Sequence, residues 1–66
     1  MKAIVNGKPE EIEPGLTILA YLERRGINPK AIVVEHNGGL PPRRDWEKVV
    51  IRENDVLELV KFMGGV

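Results

Sequence analysis

The chain contains no cysteine. That excludes disulfides, thiolate metal sites, iron–sulfur clusters and a thiol nucleophile, so any covalent chemistry must use another group. Histidine is nearly missing too. His36 is the one copy, no companion ligands stand around it at metal-site spacing, and it is expected as an exposed residue at a strand end. Neither sign of charge is in excess, with ten Lys and Arg against ten Asp and Glu. Without a basic footprint, nucleic acid is not an expected partner. No apolar run approaches the roughly 20 residues of a membrane span. The chain opens on a short apolar run instead of a basic segment followed by a long apolar one, so a cytoplasmic protein without a membrane partner is expected. Sixty-six residues make one small domain, near the lower limit for a single unstapled core and with little room for an enclosed active site. No nucleophile–base pair, paired-carboxylate cleft or metal cluster stands out, so an enzyme in its own right is not expected; Glu10, Glu11 and Glu13 read as a solvated strand face.

What the chain does have is a succession of short, well-punctuated elements. Lys2 to Val5 reads as a strand entering a hairpin at Asn6-Gly7, a pair that accepts the positive φ angles of a tight turn. A second strand over Glu10 to Glu13 is expected, with Pro9 at its edge or start and Pro14-Gly15 ending it. Thr17 is a good helix cap; Ile18, Leu19 and Leu22 follow at helical spacing, and Gly26 closes the helix before Asn28-Pro29. Tyr21 is expected as packing. Ala31 to Val34 suits a strand buried on both faces near the middle of a sheet, and Asn37-Gly38-Gly39 turns the chain. Pro41 to Trp46 is too rich in proline for a strand and reads as a crossing loop, with Trp46 as the anchor beneath it and Arg43 and Arg44 available to an acidic partner. Val49 to Ile51 is expected as a short strand, Glu53 to Asp55 as a turn, and Val56 to Phe62 as a long last strand. These predict an α+β fold: a mixed sheet of about four to five strands with one helix packed across it. A hairpin between the first two strands, with the last strand parallel to the first, gives a β-grasp arrangement.

Residues 1–62 are thus expected as the domain and residues 63–66 as a flexible tail. Gly64-Gly65 carries no side chains, so a partner can close tightly around the main chain. If the last glycine bears a free carboxylate, an enzyme can activate it with ATP without steric hindrance at the acyl carbon. The plainer reading is an end that simply frays. Val66 complicates both, because it puts a branched residue at the position where the glycine carboxylate would be.

Taken together, Val5-Asn6-Gly7, Pro14-Gly15-Leu16-Thr17-Ile18, Val33 to Gly38, Pro42-Arg43 with Trp46, Asn54 to Val60 and Gly64-Gly65 make the chain resemble the ThiS-type sulfur carriers of thiamine biosynthesis over nearly its whole length. The resemblance implies a ubiquitin-like β-grasp fold and a cycle run by partners. A ThiF-like, E1-like adenylyltransferase would use ATP and Mg to adenylate the terminal glycine. A cysteine desulfurase or rhodanese would supply sulfur to make a thiocarboxylate, and a ThiG-like thiazole synthase would receive it. By the same resemblance Gly65 is the sulfur-bearing residue and Gly64 its required neighbour, with Met63 in the recognised tail. Removal of Val66 is then expected. Phe62, Leu59 and Arg43 are candidates for the partner interface, and of Ile4, Leu57, Leu59 and Phe62 half must face the helix. The small subunit of molybdopterin synthase, other sulfur carriers and a non-covalent β-grasp binding module remain the alternatives.

Overall fold

Asn6 and Gly7 take left-handed backbone angles, φ 52° and 81°, and turn Lys2–Val5 (β1) directly back on Lys8–Glu11 (β2). Two residues with positive φ are what a two-residue hairpin loop requires if its twist is to match that of the strands. Val5 therefore pairs with Lys8 and Lys2 with Glu11. The second strand begins two residues earlier than expected because a two-residue turn leaves no slack. The computed structural model describes residues 1–62.

The helix Ile18–Arg24 (α1) starts where the Thr17 hydroxyl oxygen accepts the Ala20 amide at 3.1 Å. This satisfies one of the donors that a helix start leaves orphaned. Ile18, Tyr21 and Leu22, at spacings of three and four, form its buried face. Gly26, at φ 72°, reverses the chain, and the Ile27 amide closes the helix on the Leu22 carbonyl at 2.9 Å. A single 3-10 turn over Pro29–Ala31, capped by the Asn28 side chain, leads into Ile32–His36 (β3). After the crossing loop the last strand, Val56–Lys61 (β4), lies between β1, to which it is parallel, and β3, to which it is antiparallel. The sheet order is β2-β1-β4-β3, so β3 is an edge strand with only Ile32 and Val34 buried, not the central strand buried on both faces that was expected, because the last strand takes the inner place beside β1.

Ala3 and Val5, Ile32 and Val34, and Leu57 point from alternate strand positions into one core with the helix. Trp46 is buried under the crossing loop, where its indole N–H donates to the Pro41 carbonyl at 2.9 Å. The stretch expected as a strand at Val49 to Ile51 is not one. It makes an isolated bridge between Val50 and Thr17, with the Ile18 amide on the Val49 carbonyl and the Ile51 amide on the Leu16 carbonyl. Its backbone thus clamps the entry to α1, while the Ile51 side chain is buried in the core. Four strands remain, with one helix across a mixed sheet: the β-grasp arrangement that the sequence predicts.

Candidate functional site

Gly64, Gly65 and Met63, like Val66, lie outside the described residues. What the structure does describe is the strand that leads to them. β4 occupies an inner position of the sheet and is tied on both sides. On the β1 side, the Asn6 amide donates to the Leu57 carbonyl at 2.9 Å and the Asn6 side-chain oxygen accepts the Leu59 amide at 2.7 Å. On the β3 side, pairing runs from His36–Leu57 to Ile32–Lys61. One residue further on, the Phe62 amide donates to the Ala31 carbonyl at 3.0 Å. Two-sided ties thus hold the backbone as far as Leu59, and from Val60 to Phe62 it is held from the β3 side.

Arg43 braces that last anchor point. Its guanidinium donates to the Pro29 carbonyl at 3.1 Å and the Ile32 carbonyl at 2.9 Å, and lies 5.1 Å over the Trp46 ring. The Ala31–Ile32 segment is therefore gripped by Phe62 on one side and Arg43 on the other. A planar donor fork over an indole face suits this position in a way that lysine would not. Arg44 is exposed. The two other candidates divide: Phe62 is 56% exposed, whereas Leu59 packs against the core. Of the four apolar sheet positions, Leu57 and Leu59 face the helix and Ile4 faces away, since it alternates with buried Ala3 and Val5. Val56 and Val60, both exposed, join Ile4 on the outer face. Sequence reasoning passed over them because both faces of the Val56 to Phe62 run are apolar.

Glu10, read as part of a solvated face, is instead a joint between hairpin and helix. It accepts a hydrogen bond from the Tyr21 hydroxyl and pairs with the Arg25 guanidinium at 2.6 Å. The Tyr21 hydrogen bond, aided by Arg25 and opposed by partial burial, holds its carboxyl below the usual range. Burial first, and Glu10 second, push the Tyr21 hydroxyl up to about 12. Tyr21 is packing as expected, with its polar tip satisfied.

At the opposite end of the sheet His36 departs from expectation. Its imidazole Nε2 lies 2.8 Å from an Asp55 carboxyl oxygen, and the two side chains are only 19% and 13% exposed. Asp55 also accepts from the Arg52 amide at 2.9 Å and the Asn37 side-chain amide at 3.1 Å. Burial raises its pKa, but the hydrogen bonds from His36, Arg52 and Asn37 outweigh that and lower it. The cause is Asn54: a residue with φ 69° there curls the turn so that Asp55 faces the end of β3. Among the described residues no group of three or more His, Cys, Asp or Glu could hold a metal ion, and no helix is long and apolar enough to cross a membrane.

The profile of the ThiS family matches residues 3–65. The fold superposes at a TM-score of 0.87 on a crystal structure of the thiamine biosynthesis protein ThiS from Geobacter metallireducens, with 28% identity over the whole of both chains. Among curated relatives, the thiazole synthases of Magnetococcus marinus and Paramagnetospirillum magneticum are 37% and 31% identical over 65 residues. Those matches cover 98% of this chain, which spans only 20% of the length of either thiazole synthase.

Proposed function

The chain belongs to the ThiS family, and from that premise we propose that it is a sulfur carrier of thiamine biosynthesis whose working group is the carboxyl of Gly65, exposed by removal of Val66. The observation that carries this reading is the seating of β4. The strand, tied to β1 through Leu59 and to the β3 side as far as Phe62, runs without a turn to the residue before Met63-Gly64-Gly65, and the family match continues through residue 65.

In this reading the chain is a co-substrate and the catalysts are its partners. ATP and Mg belong to a ThiF-like adenylyltransferase. There the Gly65 carboxylate attacks the α-phosphorus and releases pyrophosphate, giving an acyl-adenylate. The terminal sulfur of a persulfide, held by a cysteine desulfurase or rhodanese, displaces AMP. A thiol then cleaves the acyl disulfide and leaves the thiocarboxylate. Glycine suits the position because no side chain crowds the acyl carbon. A ThiG-like thiazole synthase would be the acceptor. That a stretch similar to this chain lies within proteins named thiazole synthases supports it, since tethering a carrier to its acceptor raises its effective concentration to about millimolar.

The test is the intact mass of the protein from its native cells, before and after incubation with ATP, the adenylyltransferase and a persulfide donor. Loss of one valine with exchange of one oxygen for sulfur is expected. An unchanged mass, under conditions in which a chain ending at Gly65 is loaded, would refute removal of Val66; failure of both chains to load would refute the carrier reading.

A further inference from the structure

The sheet outruns its helix. Seven residues of α1 span about 10 Å, whereas the six of β4 span about 20 Å. The helix therefore stops at Arg24 and leaves the inner face of the sheet uncovered near Phe62. The result is a groove of about 440 Å³, within the size range of small-molecule sites. Its floor is aliphatic: Val5, Ile27, Ile32 and Leu59. Its rim carries Lys8, Arg25 and Lys61, with Glu10 as the acidic member. A second hollow of about 380 Å³ shares Ile27, Ile32 and Lys61 with it and ends at Phe62, so one trough runs from Lys8 to the last described residue.

The charges of this trough do not cancel. Glu10 is already neutralised by Arg25. Among the described residues Lys8 and Lys61 make no ion pair. Two uncompensated ammonium groups stand over an apolar floor at the root of the segment that the proposed cycle delivers to an enzyme. Phe62 is the one aromatic among the residues lining the trough, short of the series of stacking platforms that single-stranded nucleic acid uses.

We propose that this groove docks an acidic segment of the partner enzyme, with carboxylates at Lys8 and Lys61 and an apolar side chain between them on Ile27 and Leu59. The identity of that partner rests on the carrier reading; the chemistry of the groove does not. A contact here fixes the last strand to the enzyme just before Met63. The enzyme thereby aligns the tail and selects its carrier by charge, since rim charges act chiefly on encounter rate and partner choice.

The experiment measures Kd for the full chain and the purified adenylyltransferase without ATP, at low and moderate salt. Lys8→Glu with Lys61→Glu should weaken binding about tenfold or more and flatten its salt dependence. Lys8→Gln with Lys61→Gln should give an intermediate loss, and thermal melts should confirm that each variant is folded. Glu35→Gln with Glu58→Gln, on the opposite face of the sheet, should bind as the unsubstituted chain does. Equal affinity across the lysine variants would overturn the proposal, as would loss confined to the Glu35 and Glu58 variant. A chain that docks through the two lysines but takes up no sulfur, even when it ends at Gly65, would uphold the groove and sink the carrier reading. One that loads normally, with its Kd unchanged when both lysines are reversed, would do the opposite.

Discussion

At its Asp55 end β4 enters the sheet through a mesh of side chains, and at its Phe62 end it leaves on one amide bond. The first end gathers His36, Asn37 and the Arg52 amide around one carboxylate, and the Asn37 side-chain oxygen accepts the Val56 amide at 2.8 Å. Polar groups there are satisfied by their neighbours. At the second end a phenylalanine is exposed, two lysines make no ion pair among the described residues, and the helix has already stopped. One strand thus joins an end that fixes register to an end that leaves its surface open, and the same stretch of chain serves both the fold and the proposed tail.

The comparison breaks most readily at Asp55. Asp55→Ala removes the acceptor for three donors in a mostly buried setting and should cost about 2–3 kcal/mol in a denaturant titration. The same end should show in acid. Because the carboxyl pKa of Asp55 is lowered by folding, its contribution is present above the ordinary aspartate value near 3.9 and is lost as pH falls through the folded value. Asp55→Asn should therefore flatten the loss of stability at low pH; an unchanged acid limb would show that His36 and Asn37 do not hold the charge.

Arg43 sits between the two extremes. Arg43→Ala should cost about 1–2 kcal/mol through the lost carbonyl contacts and Trp46 stacking, and Arg43→Lys should recover little of it. Because Ile32 and Ala31 are adjacent, hydrogen exchange of the Phe62 amide should quicken in both variants. Protection equal to the unsubstituted chain would mean that the Ala31–Ile32 segment needs no brace.

The smallest effect on stability is expected at the tail root itself. Phe62→Ala should change the unfolding free energy by no more than about 0.5 kcal/mol, as for an exposed residue without a special partner. It should nevertheless raise the concentration of chain needed for half-maximal loading. A large loss of stability there would make the two ends alike and remove the contrast.

The elements whose signals are local were legible in the sequence. Asn6-Gly7, the Thr17 cap, Gly26 and the Trp46 anchor each follow from the conformational preference or size of one or two residues, and each is where it was expected. What escaped depends on partners distant in sequence. Val49 to Ile51 has strand composition, but its backbone is claimed by Leu16 and Ile18. His36 meets a carboxylate 19 residues away, and Glu10 meets a hydroxyl 11 residues away. Arg43 reads as a free loop cation until the loop is folded across β3. The groove is not a property of any stretch, since it arises from a mismatch between the lengths of a helix and a strand. The Gly64-Gly65 signal was legible by type and lies outside the described residues.

The parallel pairing of β1 with β4 has a consequence for how the molecule comes into being. Ile4 waits for Val56 and Val5 for Leu57, so β1 finds its inner neighbour only after most of the described residues have been synthesised. Until then the β1–β2 hairpin and β3 have no common partner, and closing so long a loop is among the slower steps in folding. A copy interrupted before Lys61 lacks both the strand that completes the sheet and the residues on which the proposed carrier role depends.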